Sequence, residues 1–175
     1  PTRYFWSGAE QYSKDKKVKI APRGLMNYFR TADLLISKRP DYYIAISNEV
    51  KARIKKYYQR DSSVVYPSID DKFYSRNFVP SEERENYLIV SRLVPYKKVD
   101  LAIKAFNKLK KPLTVVGTGS ELSRLRKIAG PTISFAGSVS DRQLIEEYGR
   151  AKAVIFPQVE DYGLVPLEAQ ACGTP

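Results

Sequence analysis

From Tyr87 onward, four short apolar runs alternate with helix-like stretches: "YLIVS" (87–91), "LTVVG" (113–117), "ISFAG" (133–137) and "AVIFP" (153–157). Each run is too short for a buried helix and is apolar on successive residues, as a strand covered on both faces must be. Strands that alternate with helices build βαβ units, and right-handed crossovers wind such units into a parallel sheet. The expected fold is therefore α/β, half of a doubly wound Rossmann-like sheet with strand order 3-2-1-4. In that order the first and fourth strands lie side by side, although about 60 residues separate them in the chain.

The stretches between the runs carry helix signals. Asp100 is placed to cap a helix with Ala102, Ala105, Phe106 and Leu109 inward, and Ser140 with Gln143 makes a capping box. The helix after Ser140 would turn Leu144, Ile145 and Tyr148 to the sheet and end at Gly149. Before Tyr87 the pattern changes. A helical stretch near residues 28–39 precedes a strand, "YYIAIS" (42–47), and a helix from Ser47 that carries Val50, Ile54 and Tyr57 on one face. A short strand and a proline-broken connector follow in "VVYPSIDDKF", and Pro67, Pro80 and "SEERE" interrupt the periodicity. The expected division is residues 1–68, an extra N-terminal helical and strand segment with its connector, and residues 69–175, the sheet domain.

With 175 residues, 43% of them hydrophobic, the chain can bury a sizeable core. No run approaches the roughly 18 apolar residues of a membrane span, and the N-terminus lacks a signal-peptide pattern, so membrane contact would be peripheral. The single Cys172 cannot form an intrachain disulfide, and the absence of histidine removes the usual zinc and Cys/His catalytic sets. The net charge of +11 is uneven: residues 1–80 hold 16 Lys and Arg against 8 Asp and Glu, and residues 81–175 hold 14 against 11. Dense basic patches at "KDKKVK" (14–19) and "KARIKKYYQR" (51–60) are either solvated faces or attractors of phosphate.

Ligands of open α/β sheets bind beyond the carboxyl ends of the strands where the strand order reverses. Directly after the first strand comes "SRLVPYKKVD", with Arg92 and Lys97, and after the fourth comes "QVEDYGLVPLE", with Glu160 and Glu168. Arg92 offers a planar fork to phosphate oxygens and Lys97 a mobile point charge, so the pair suits a diphosphate. Pro166 suits the first position of a helix ended by Gly173, which would leave the N–H groups of Gly163, Leu164 and Val165 as unpaired donors at a positive helix end. Glu168, expected in the first turn, could accept hydrogen bonds from ribose hydroxyls and Glu160 from a sugar. The plain alternatives are that Glu168 complements the helix dipole and Glu160 is a solvated loop acid. "GTGSEL" (117–122) lacks the third glycine of a dinucleotide fingerprint, and its Gly117 either borders a nucleobase or only makes a tight turn. The backbone near Val139, in "GSVSD", is placed likewise.

Four motifs together, "VSRLVPYKKVDLAIKAF", "VVGTGSEL", "FAGSVSDRQL" and "VIFPQVEDYGLVPLEAQACGTP", resemble the retaining GT-B glycosyltransferases of the group 1, family 4-like class. That group contains bacterial and archaeal mannosyltransferases and sucrose and glycogen synthases. The resemblance spans about 90 residues, and the glutamate pair matches the family's E-x-x-x-x-x-x-x-E element. It implies that Arg92 and Lys97 hold the donor diphosphate, Glu168 the ribose and Glu160 the donor sugar. It also implies a truncated C-terminal GT-B domain that binds a nucleotide-sugar donor, with no metal and no other cofactor. The implied acceptor is a lipid-linked or polysaccharide acceptor, as in lipopolysaccharide biosynthesis, and the expected location is cytoplasmic, with the basic first half suited to peripheral contact at the inner face of the membrane. "PTRYFW" resembles the segment after a histidine in the acceptor-binding N-terminal domain, so a longer enzyme is expected. Two other classes remain as alternatives, an NAD-linked oxidoreductase and a basic nucleic-acid-binding domain. The first is disfavoured by the broken glycine fingerprint, and the second lacks a recognised motif, so nucleic acid is not the expected partner.

Overall fold

The computed structural model describes residues 3–6, 23–74 and 79–175, so the basic patch at 14–19 lies outside the described residues. The chain divides into two compact units, Pro1–Ser68 and Ile69–Pro175.

In the first unit, helices α1 (Arg3–Trp6) and α2 (Arg23–Ile36) precede strand β1 (Ile44–Ala45), helix α3 (Asn48–Tyr58) and strand β2 (Ser63–Val64). β1 and β2 pair in parallel across α3. The Ser47 side chain accepts the Val50 N–H and starts α3, as its sequence implies, and Gln59 ends the helix in a left-handed conformation. Asp33 on α2 is a polar anchor: its Oδ2 accepts from Trp6 Nε1 at 2.6 Å and from the Tyr58 hydroxyl at 2.7 Å.

The second unit is a four-stranded parallel sheet made of β3 (Asn86–Val90), β4 (Leu113–Val116), β5 (Ile133–Gly137) and β6 (Ala151–Val154), in the order β5-β4-β3-β6. This is the 3-2-1-4 arrangement read from the apolar runs. Helices α4 (Val99–Leu109), α5 (Leu122–Ile128), α6 (Asp141–Arg150) and α7 (Leu164–Ala171) complete it. Adjacent strand residues point to opposite faces, and each face has its own core. On one, Ile89, Leu113 and Val115 pack with Val99, Ile103 and Phe106 of α4 and Leu125 of α5. On the other, Leu88 and Val116 pack with Tyr148 of α6 and Ala169 of α7.

Several boundaries differ from the sequence expectation, each for a local reason. β6 begins at Ala151 rather than 153, because pairing with β3 starts at Asn86↔Ala151 and the exposed Lys152 conceals the strand's start in the apolar pattern. Asp100 does not cap α4. Lys98 takes that place in a left-handed conformation on leaving the short 3-10 turn Pro95–Lys97, and Asp100 sits in the first turn. The buried stripe is accordingly Val99, Ala102, Ile103 and Phe106, while Ala105 and Leu109 face solvent. The Ser140–Gln143 capping box is present, but Gly149 lies inside α6, which runs straight into β6 through an extended Ala151.

Candidate functional site

Because β3 and β6 are neighbours, the segments that follow them border one crevice at the carboxyl end of the sheet. The segment after β3 is fixed by its backbone. Ser91 N–H donates to Val116 O at 3.0 Å, Leu93 N–H to Thr118 O at 2.8 Å, and Glu121 N–H to Leu93 O at 2.9 Å. Gly117, at φ +126°, and Gly119 make this approach possible, since a Cβ would lie 1.9 Å from Ser91 O in the first case and 2.2 Å from Leu93 O in the second. The "GTGSEL" glycines are thus filled by neighbouring backbone rather than open as a pyrophosphate cradle. Their effect is to brace the loop that carries Arg92.

Arg92 is exposed, donates from Nη2 to the Tyr96 hydroxyl at 2.6 Å and lies 5.9 Å from that ring's centroid. Lys97 Nζ lies 5.4 Å from the same ring and forms an ion pair with Glu160 Oε1, reaching from the β3 side of the crevice to the β6 side. Both side chains of the pair are largely buried, at 17% and 22% exposure. Lys97 and Glu160 therefore neutralise one another, whereas the sequence reading assigned them separate ligand groups.

α7 departs from expectation in where it starts, and this moves Glu168 along the helix. Gly163, left-handed at φ +86°, is the N-cap, so the helix begins at Leu164 and Pro166 is its third residue rather than its first. First-turn N–H groups lack intrahelical partners, and the N-cap carbonyl takes the first intrahelical bond, so with Pro166 bearing no N–H the open donors at this end are Gly163, Leu164 and Val165. Gly173, at φ +74°, stops the helix, with the Thr174 N–H donating to Ala169 O at 2.9 Å.

Glu168 consequently stands in the second turn, not the first, and its Oε2 accepts a hydrogen bond from the Tyr148 hydroxyl at 2.8 Å. Burial first, and then the Glu168 carboxylate, push the Tyr148 hydroxyl well above the usual tyrosine range. The same two influences raise the Cys172 thiol. Val139 is half-buried and packs against the Tyr148 cluster. Among the described residues no group of three or more His, Cys, Asp or Glu is placed to hold a metal ion, and no helix is long and apolar enough to cross a membrane.

Sequence reasoning passed over three residues. Tyr96, flanked closely by Arg92 and Lys97, gathers both cations on one ring. Tyr148 read only as apolar filling, although a buried phenol requires a hydrogen-bond partner. Arg84, in a charged run, is buried and leaves no sequence signal of its role. Its Nε donates to Val79 O at 3.0 Å, Nη1 to Ala151 O at 3.2 Å and Thr174 Oγ1 at 2.9 Å, and Nη2 to Gly173 O at 2.6 Å.

The sequence model of the family Glycosyl transferases group 1 matches residues 70–175, more than half of the chain. The chain belongs to that family. This group 1 glycosyltransferase chain is 29% identical to the O-antigen chain mannosyltransferase RfbU of Salmonella typhimurium, over 85% of the chain and 44% of that protein. It is 26% identical to the GDP-mannose-dependent alpha-(1-6)-phosphatidylinositol monomannoside mannosyltransferase of Mycolicibacterium smegmatis, over 83% of the chain and 46% of that protein. It thus spans less than half the length of both relatives. Among solved structures, sucrose-phosphate synthase from Thermosynechococcus elongatus superposes with a TM-score of 0.71 at 18% identity, covering 96% of the chain and 47% of that structure. That likeness is one of fold.

Proposed function

We propose that this chain carries the donor site of a glycosyltransferase that moves a hexose, mannose from GDP-mannose, to a lipid-linked or polysaccharide acceptor with retention at the anomeric carbon. The observation that carries the reading is the Lys97–Glu160 pair reaching between the segments that follow adjacent parallel strands, with Arg92 beside Lys97 on the Tyr96 ring and α7 starting just after Glu160. The names of the two mannosyltransferase relatives support the choice of mannose. In this reading the bond between the anomeric carbon and the diphosphate breaks and a bond to an acceptor oxygen forms. Arg92, Lys97 and the Gly163, Leu164 and Val165 N–H groups stabilise the charge that grows on the departing diphosphate. Glu168 accepts from the ribose hydroxyls and Glu160 from the transferred sugar, while Gly117 and the backbone at Val139 border the base.

Calorimetry of the full-length protein with GDP, UDP and ADP in EDTA tests the reading. One of the three should bind, and no binding by a folded sample would remove the assignment. Glu168→Gln should weaken nucleoside diphosphate binding. Glu160→Gln releases Lys97 from its ion pair, so nucleotide affinity should hold or tighten while turnover falls, since the lost contact is with the transferred group. Peripheral membrane contact at the cytoplasmic face belongs to the same proposal and rests on the basic excess of residues 1–80. Flotation with neutral and anionic liposomes tests it, and equal binding to both would remove it.

A further inference from the structure

Glu168 is held from behind by a buried chain of hydrogen bonds that starts far from the crevice. The Tyr148 side chain is fully buried, and its ring packs against Phe73 with centroids 6.1 Å apart. Its hydroxyl donates to Glu168 Oε2 at 2.8 Å, and its backbone carbonyl accepts from Thr174 Oγ1 at 2.6 Å. Thr174, itself buried, also accepts from Arg84 Nη1 at 2.9 Å. The run Arg84, Thr174, Tyr148, Glu168 thus ties both ends of the α6–β6 connection and the end of α7 to one carboxylate. No carboxylate other than Glu168 takes part in these bonds.

We infer that Tyr148 is a positioning residue for ribose recognition: its hydroxyl fixes the rotamer of Glu168 and occupies one carboxylate oxygen, so that the other is presented to the vicinal diol of the nucleotide. The inference rests on the proposed donor-site reading of Glu168. A free glutamate has three rotatable bonds, and a ligand that binds it must first order them. One buried phenol, anchored by packing and by Thr174, does this before the ligand arrives. Burial keeps the phenol protonated, so it remains a donor across the working pH range.

The test compares the tightest binder of GDP, UDP and ADP with its 2′,3′-dideoxy form, by calorimetry on the full-length protein. Wild type should prefer the ribonucleotide. Tyr148→Phe should reduce that preference about tenfold or more, from the lower end of the scale of one hydrogen bond to a charged group, with dideoxynucleotide affinity unchanged. In a Glu168→Gln background the same change should remove nothing further. Phe73→Leu disturbs the same packing without touching the hydrogen bond, and should lower Tm while leaving the preference intact. 3-Fluorotyrosine at position 148 keeps the shape and strengthens the donor, so it should enlarge the preference, and it serves if Tyr148→Phe does not fold. An unchanged preference in Tyr148→Phe or in the fluorotyrosine protein, or an equal loss in Phe73→Leu, overturns the positioning role and leaves the donor-site reading standing. A wild type that binds both forms equally overturns the ribose role of Glu168 and the inference together.

Discussion

Three glycine-to-alanine changes separate two physical effects in the loops that brace the crevice. Gly137 has a positive φ of +71° and open space where a Cβ would go. Its alanine variant meets only the left-handed backbone cost of about 1–2 kcal/mol, partly offset by about 0.4–1 kcal/mol from the stiffer unfolded chain. Gly119 has no positive φ, but its Cβ would lie 2.2, 2.6 and 2.8 Å from the O, C and N of Leu93. Backbone cannot swing aside as a side chain does, so the upper end of the overpacking range, about 3 kcal/mol, applies. Gly117 combines both effects, at φ +126° and 1.9 Å from Ser91 O, and its variant should lose about 3–5 kcal/mol. Urea unfolding at constant m-value should rank the losses Gly117→Ala, then Gly119→Ala, then Gly137→Ala. The first two push on the residues flanking Arg92 and should also weaken nucleoside diphosphate binding, whereas Gly137→Ala should not. A Gly117→Ala protein no less stable than Gly137→Ala would refute the close backbone approach and the bracing ascribed to it.

Arg84→Lys keeps the charge but cannot span Val79, Ala151, Gly173 and Thr174 at once, so it should cost about 2–4 kcal/mol, read as a lower urea midpoint. The Tyr148 and Tyr58 hydroxyls are both pushed well up, chiefly by burial and then by Glu168 and Asp33 respectively. An unfolded tyrosine ionises near pH 10. Above that pH the unfolded chain releases protons that the folded chain keeps, so these contributions are intact below about pH 10 and fall as pH rises beyond it. Tm measured from pH 8 to 11.5 should therefore drop in the alkaline range, and less steeply in Tyr148→Phe. Equal slopes would show that the phenol is not buried as described.

Much of the sheet was legible because its strands are nearly continuous apolar runs, and the handedness of βαβ units then dictates their order. The placement of Arg92 and Lys97 opposite Glu160 followed from that order alone. Helix starts were less legible. Lys98 and Gly163 begin their helices from left-handed conformations. Lysine carries no such signal, and Pro166 is an equally good first or third residue, so the start of α7 was misplaced by two residues. The Lys97–Glu160 pair and the Tyr148–Glu168 bond depend on side-chain reach between elements separated in sequence, which spacing along the chain does not encode. Arg84 was hidden most completely, since a buried arginine served by carbonyl groups looks in sequence like any charged surface residue.

The adjacency of β3 and β6 also bears on how the molecule comes together. Tyr87 pairs with Leu113 about 26 residues along, whereas Asn86 pairs with Ala151 about 65 residues along. Closing the longer loop carries roughly 0.8 kcal/mol more entropy by the logarithmic scaling of loop closure, and contacts of high sequence separation form late. The crevice between these strands is thus completed at the slow, long-range step of folding. In the proposed donor site, a nucleotide held by Arg92 on one side and α7 on the other would clamp that same pairing shut, so occupancy should register as slower unfolding of the whole sheet rather than as a local stiffening of its loops.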